Sequence, residues 1–291
     1  MHDYAVVDAF AREPLTGNPV AVFFDAADLT AALMQRIARE MNLSEVTFVL
    51  PPERGGDARI RIFTPVNELP FAGHPMLGTA VAVGRALRKD RLRLETAMGV
   101  IPCEVDFERD SSERGSGDAG SGGGAAAVRM RQPVPTWEPY EHAAELLAAL
   151  GVESSTTPVD IYRNGPRHVF VGLPGVAELS ALEPDHRALA RFPDMAANCF
   201  AGGGTRWRTR MFSPAYGVVE DAATGSAAGP LAIHAARHGL AAYGQELEIL
   251  QGVEMGRPSR MLATADGSAA GVDEVRVGGH GVIVARGTIY V

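Results

Sequence analysis

The sequence predicts an α+β protein of two similar halves, and three observations carry that expectation. First, residues 61–65 read Arg-Ile-Phe-Thr-Pro and residues 210–214, 149 positions later, read Arg-Met-Phe-Ser-Pro. Second, each copy runs into a glutamate, four residues and a glycine, from Glu68 to Gly73 and from Glu220 to Gly225, with His74 and Ser226 next in line. Agreement in both residue type and spacing is the mark of one supersecondary unit used twice. Third, short apolar strand patterns outnumber helical ones, and no phosphate-cradling Gly-x-Gly-x-x-Gly turn from a strand into a helix appears, which disfavours a dinucleotide-binding doubly wound sheet. At 291 residues the chain is at the upper edge of what one core supports. The halves are drawn at 1–130 and 131–291, with the terminal strand expected to return to the first.

Residues 4–10 suit a buried strand, and Gly17-Asn18-Pro19 turns the chain into a second at 20–24, an opening hairpin. Thr30 can cap a helix whose apolar positions Leu33, Met34, Ile37, Ala38 and Met41 recur at helical spacing, with Asn42 as its stop. Strands follow at 43–50 and 58–63, so Glu45 stands where helix hands over to strand. His74 is expected to cap a helix with Pro75 in its first position and Leu77, Ala80, Val81, Gly84 and Leu87 on one face. Strands at 91–95 and 100–107 lead to a Gly/Ser-rich stretch, 109–126, whose composition predicts a mobile loop.

A strand at 128–131 resumes the fold. The second half then predicts a helix at 140–150, a strand at 168–173, a helix at 184–191 and the strand that carries Arg210 and Phe212. Its motif helix is expected from Ser226 to His238, with Pro230 in the first turn and Gly239 as a left-handed stop. A terminal hairpin is expected from 275–277 and 282–285 around Gly278-Gly279-His280-Gly281.

Hydrophobic content of 46% and charge of 21% are ordinary for a globular chain. A net charge of −8 with dispersed Lys and Arg argues against a nucleic-acid partner. Two cysteines, Cys103 and Cys199, with no Cys/His pair at ligand spacing, argue against a disulfide framework or a metal. With neither a basic-then-apolar leader nor a run near the ~18 apolar residues of a span, a cytoplasmic protein with no membrane partner is expected.

Three residues are the candidates for chemistry: Glu45, His74 and Asp221. Each also has a bland role, as a solvated strand-start carboxylate, a helix cap and a charge near a helix start. Together they are more specific. Two helix N-termini facing one cleft would offer an anion the backbone N–H groups of Gly73, Gly225 and Ser226. A carboxylate desolvated there would have its pKa raised into a range where it both takes and returns a proton. Aligning Phe48 with Phe170 sets Arg167 opposite Glu45, so the base has no twin; a single base suits proton movement across one face of a substrate.

The segments GNPVAVFF, MQRIAREMNLSEVTFVLP, IRIFTPVNELPFAGHPMLGTA and VVEDAATGSAAGPLA resemble those of the PhzF-like phenazine biosynthesis family, a branch of the diaminopimelate epimerase fold. The resemblance runs from residue 3 to about 260. It implies two pseudo-repeated halves, each a strongly curved, mostly antiparallel sheet around a central helix, with the site between them, and a homodimer. It also implies that Glu45 is the acid/base, that His74 and Asp221 lie beside the substrate, and that Asn18, Gly73, Gly225 and Ser226 contact it. The activity implied is cofactor-free isomerisation of a small carboxylate such as trans-2,3-dihydro-3-hydroxyanthranilate. Epimerases of this fold use two motif cysteines, where this chain has Ala72 and Thr224, and Val46 stands where the family often has Thr. An amino-acid epimerase or racemase and a non-catalytic binding protein remain as alternatives.

Overall fold

The computed structural model describes residues 1–107 and 124–291. The chain opens with an antiparallel hairpin of β1 (His2–Ala9) and β2 (Asn18–Phe23). Thr30 caps α1 (Ala31–Met41) by accepting from the Leu33 amide, and Asn42 ends it at φ 50°; a short polar side chain tolerates that left-handed geometry. β3 (Glu45–Leu50), β4 (Ala58–Phe63), β5 (Glu68–Leu69), α2 (Gly73–Leu87), β6 (Arg91–Thr96) and β7 (Gly99–Phe107) follow. Of the stretch expected as a mobile loop at 109–126, residues 109–123 lie outside the described residues, and Ala126 already opens a strand.

Beyond it run β8 (Ala126–Gln132), β9 (Thr136–Pro139), α3 (Ala143–Leu150), β10 (Asp160–Arg163), β11 (Arg167–Gly172) and two short helices, α4 (Val176–Ser180) and α5 (His186–Leu189). β12 (Ala196–Gly203), β13 (Arg206–Ser213), β14 (Val218–Asp221), α6 (Gly225–Arg237), β15 (Leu247–Gln251), β16 (Ser259–Ser268) and β17 (Gly271–Ile289) complete it. Among the described residues no helix is long and apolar enough to cross a membrane.

Strand pairing displays the repeat. β3 is parallel to β2 and antiparallel to β4; β4 is antiparallel to β5 and parallel to β6, which pairs antiparallel with β7. β12 has the same relation to β11 and β13, and β13 to β14 and β15, before β15 pairs with β16. Side chains repeat as well. Arg61 donates to both oxygens of Glu68 at 2.7 and 2.6 Å with its guanidinium 5.1 Å from the Phe63 ring centre. Arg210 does the same to Glu220 at 2.8 and 2.9 Å, with 5.0 Å to Phe212. The repeated Arg, Phe and Glu are therefore a two-pronged bracket that fixes where each strand turns back.

Both motif helices lie at the centre of their sheets. Every residue of α2 from Gly73 to Gly84 and of α6 from Gly225 to Ala235 is buried, so the one-sided apolar face expected of α2 gives way to burial all round. Their Ala and Gly content lets sheet backbone approach from every direction. His74 is not the cap of α2: Ala72 holds that position, with no side-chain hydrogen bond to the first turn. Pro230 is the sixth residue of α6, not a first-turn residue. It removes the donor that would serve the Ser226 carbonyl, and Asn164 Nδ2 takes its place at 2.9 Å.

The terminal hairpin is also corrected. β17 is one strand of 19 residues that pairs with β16 and β8 along its first part and with β1 along its last. Its glycines serve close approach and not a turn: a Cβ on Gly279 would lie 2.4 Å from Phe10 Cδ1. The helix expected at 184–191 shrinks to α5, capped by Asp185.

Candidate active site

α2 and α6 meet end to end. A Cβ placed on Gly73 would lie 2.2 Å from the Gly225 carbonyl carbon and 2.2 Å from the Ser226 nitrogen, so glycine is what allows the two helix starts to touch. Neither start carries a side-chain cap. Their first-turn N–H groups are free of side-chain acceptors and add their dipoles in one place. The cleft they face is lined by Glu45, His74, His168, Asp221 and Ser226 among others, and the free space in it is about 30 Å³.

Glu45 reaches the cleft because α1 stops at Asn42 and β3 starts at Glu45 beside Val20 of β2. Its Oε2 lies 3.4 Å from His74 Nδ1 and, among the described residues, has no hydrogen-bond partner, nor has His74 Nε2. Asp221 is the opposite case. Its Oδ1 accepts from Asn18 Nδ2 at 2.7 Å and Ser44 Oγ at 3.1 Å, and its Oδ2 accepts from Thr224 Oγ1 at 2.8 Å. Asn18, expected at the substrate, donates to Asp221 and to the Ala223 carbonyl at 3.1 Å. It is a tie across the repeat, lies outside the cleft lining, and positions Asp221.

Burial holds both carboxyls above their ordinary range. Glu45 is raised well above 4.5 by desolvation and then by the charge on Asp221. Asp221 is raised to about 6 by desolvation, against the pull of donors from Thr224, Asn18, Ser44 and the Ala222 backbone. The negative charge is better housed on Asp221 with its donors, and the proton on Glu45, which has none. His74 is pushed down to about 3 by burial and is neutral near pH 7.

A stability consequence follows. Between 3.8 and about 6 the unfolded chain has released the Asp221 proton while the native state retains it. Native protein then binds more protons, so this contribution is present at low pH and is lost as pH rises through about 6. Buried His74, His168 and His234, each lowered to about 3, act in the opposite sense as pH rises from 3 to 6.5. The test is therefore a difference: the melting temperature of Asp221→Asn should gain on wild type as pH is raised from 4 to 7. A constant gap would remove Asp221 from the set of native-state proton holders.

The structure brings Glu45, His74, Asp221, Gly73, Gly225 and Ser226 into this one cleft. It does not bring Arg167 opposite Glu45. Phe63 pairs with Val46 and its repeat Phe212 with Ala197, which makes Ala196 the counterpart of Glu45. The alignment on Phe48 and Phe170 matched β3 to the wrong neighbour because both are apolar strands. The sequence does not single out Ser44, His168 or Asn198; each is a polar residue within or beside an apolar strand, a pattern with no signal of its own.

Cys103 and Cys199 are buried away from the cleft, their thiols pushed up to about 12 by desolvation. At the far end of α6, Asp160, His234 and His238 bring ligand atoms within 4.8 Å of one another. Spacing along the sequence does not reveal this group, since Asp160 lies on β10. Arg237 Nη1, 2.8 Å from Asp160 Oδ2, already holds the cation's place there.

Residues 7–287 match the family described as phenazine biosynthesis-like protein. Over 290 residues, covering 100% of both chains, the sequence is 64% identical to the trans-2,3-dihydro-3-hydroxyanthranilate isomerase of Pseudomonas aeruginosa. The PhzF-family phenazine biosynthesis protein of Bacillus anthracis has the same fold, with a TM-score of 0.81 at 24% identity over 100% of this chain and 99% of that one. A probable proline racemase from Agrobacterium radiobacter follows it at 0.65 and 14% identity, over 100% and 93%. The architecture is thus the α+β, diaminopimelate epimerase-like one, with its two pseudo-repeated halves. By the match along nearly its whole length, the chain belongs to the phenazine biosynthesis-like family.

Proposed function

We propose that the protein is a cofactor-independent isomerase that moves a proton on a small cyclic carboxylate, trans-2,3-dihydro-3-hydroxyanthranilate or a near analogue. The observation that carries this reading is Glu45, whose Oε2 lies beside His74 Nδ1 and has, like His74 Nε2, no hydrogen-bond partner among the described residues. Buried polar atoms are normally paired, so two orphans facing one cleft mark where a substrate completes the network. As the carboxylate, formed once its resting proton has left for solvent, Glu45 takes the proton from one carbon and returns it to another, as an isomerisation requires, since no atom is gained or lost. Neutral His74 and ionised Asp221 set the polar groups of the substrate. Gly73, Gly225 and Ser226 hold its carboxylate on the two helix starts.

An epimerase needs proton carriers on opposite faces, and the positions open to thiols here are Ala72 and Thr224, the latter's hydroxyl engaged by Asp221. The counterpart of Glu45 is Ala196. One-faced proton return is what remains. We also read the enzyme as cytoplasmic and, by family resemblance, as a homodimer in which each chain has the two halves 1–130 and 131–291; sedimentation would check the dimer and limited proteolysis the halves.

The substrate named above, incubated with enzyme in D2O without added cofactor, should be isomerised, with deuterium on the receiving carbon in the share of turnovers in which the proton on Glu45 exchanges with solvent before it is returned, and a chelator should not change the rate. No conversion, or conversion abolished by the chelator, would move the weight to another substrate or to metal-assisted chemistry.

A further inference from the structure

His168 stands in the cleft on β11, and its Nε2 lies 3.0 Å from Ser226 Oγ. Distance alone leaves the direction of that hydrogen bond open, because either atom can donate. The surrounding groups fix it. Asn198 Nδ2 lies 2.9 Å from the Ala196 carbonyl, which can only accept, so the amide nitrogen and not its oxygen faces that way. The same Nδ2 is 3.4 Å from His168 Nδ1. Its second hydrogen is directed at Nδ1, which must then be the ring's acceptor. Burial pushes the His168 pKa down to about 3, so the neutral ring has one proton, and it sits on Nε2.

We propose that His168 is a positioning residue for Ser226: oriented by Asn198, its Nε2–H donates to Oγ and turns the hydroxyl proton into the cleft, making Ser226 an obligate donor to an anionic substrate oxygen. Among the described residues His168 is the only hydrogen-bond partner of Ser226 Oγ. The Ser226 carbonyl is held by Asn164 Nδ2 at 2.9 Å, so backbone and side chain of this residue are both fixed before a ligand arrives. A hydroxyl free to rotate would accept as readily as donate; a hydroxyl that already accepts from His168 presents its proton to the cleft. Ser226 is the second residue of α6, and its O–H then points with the helix-start N–H groups at one oxygen.

This inference deepens the proposed function and rests on it for the identity of the anion, but the state of the ring does not. Long-range 1H–15N correlation on histidine-labelled protein without ligand should show His168, assigned by its loss in His168→Gln, with the proton on Nε2. A proton on Nδ1 would overturn the proposal whatever the substrate proves to be. Kinetics supply the second arm. His168→Gln, whose amide can still donate near the Nε2 position, should keep KM for trans-2,3-dihydro-3-hydroxyanthranilate within about threefold of wild type. His168→Leu should raise KM about tenfold or more with a smaller change in kcat, as should Ser226→Ala, in line with one lost hydrogen bond to a charged group. The His168→Leu/Ser226→Ala pair should be no worse than either alone. Additive effects, or Gln as damaging as Leu in variants of unchanged melting temperature, would show that His168 acts by packing. Failure of wild type to turn over this substrate would count against the proposed function and leave the ring measurement standing.

Discussion

Glu45→Gln is expected to bind substrate about as well as wild type and to turn it over at least about 100-fold more slowly, the low end of a general acid/base contribution. The amide keeps the shape of the protonated acid, which is the form that burial favours at this position, so binding and folding have little to lose. What disappears is a group able to take and return a proton. No neighbour can stand in: His74 is held near 3 by burial, and Asp221 is bound by Asn18, Ser44 and Thr224. Deuterium uptake from D2O should fall with turnover, because both report the same transfer. Wild-type rates in this variant would remove Glu45 from the chemistry.

Gly73→Ala should be the most damaging single methyl in the protein. Its Cβ would meet backbone atoms of Gly225 and Ser226 at 2.2 Å, and backbone in a fully buried helix cannot swing aside as a side chain would. Overpacking usually costs about 1–3 kcal/mol; with two main chains in collision, a loss on the order of 3 kcal/mol or more is expected. At roughly 1.6 °C per kcal/mol for 291 residues, the melting temperature should fall by about 5 °C or more. Activity should fall further than stability, since prising the helix starts apart separates the N–H groups that share an anion. Gly203→Ala, where an added Cβ meets nothing within 4 Å, is the control and should be near neutral. A Gly73→Ala enzyme that melts and turns over like wild type would contradict the helix contact.

Much of this arrangement is legible in the chain because local chemistry and tertiary role coincide. The αL stop at Asn42 and the cap at Thr30 are set by their own side chains, and the doubled Arg, Phe and Glu announce a doubled turn. Glu45, His74, Asp221 and Ser226 all lie within or beside repeated or punctuated segments, which is why they could be picked out before their contacts were known. Elsewhere tertiary packing overrides the local pattern. α2 reads as one-sided because Leu77 and Val81 dominate its periodicity, yet its small residues are buried too. Gly278, Gly279 and Gly281 read as a turn, whereas the space they vacate is filled by the Val128 carbonyl of β8, by Phe10 and by Val81 and Leu77 of α2. His168 and Asn198 sit 30 positions apart and become neighbours only through the parallel pairing of β11 with β12, a register that composition does not encode.

The placement of β17 bears on how the protein comes to exist. β1 lies between β2 and the last part of β17, and Thr288 Oγ1 donates to Asp3 across a separation of 285 positions. During vectorial synthesis β1 emerges long before residues 281–289 and must wait, with one edge unpaired, until they have cleared the ribosome. Contacts of that sequence separation slow folding, and an open edge is a template for the wrong partner. The nascent chain therefore passes through a long stage in which β1 is a liability, and the arrival of residues 281–289, not the formation of either half, decides when that exposure ends.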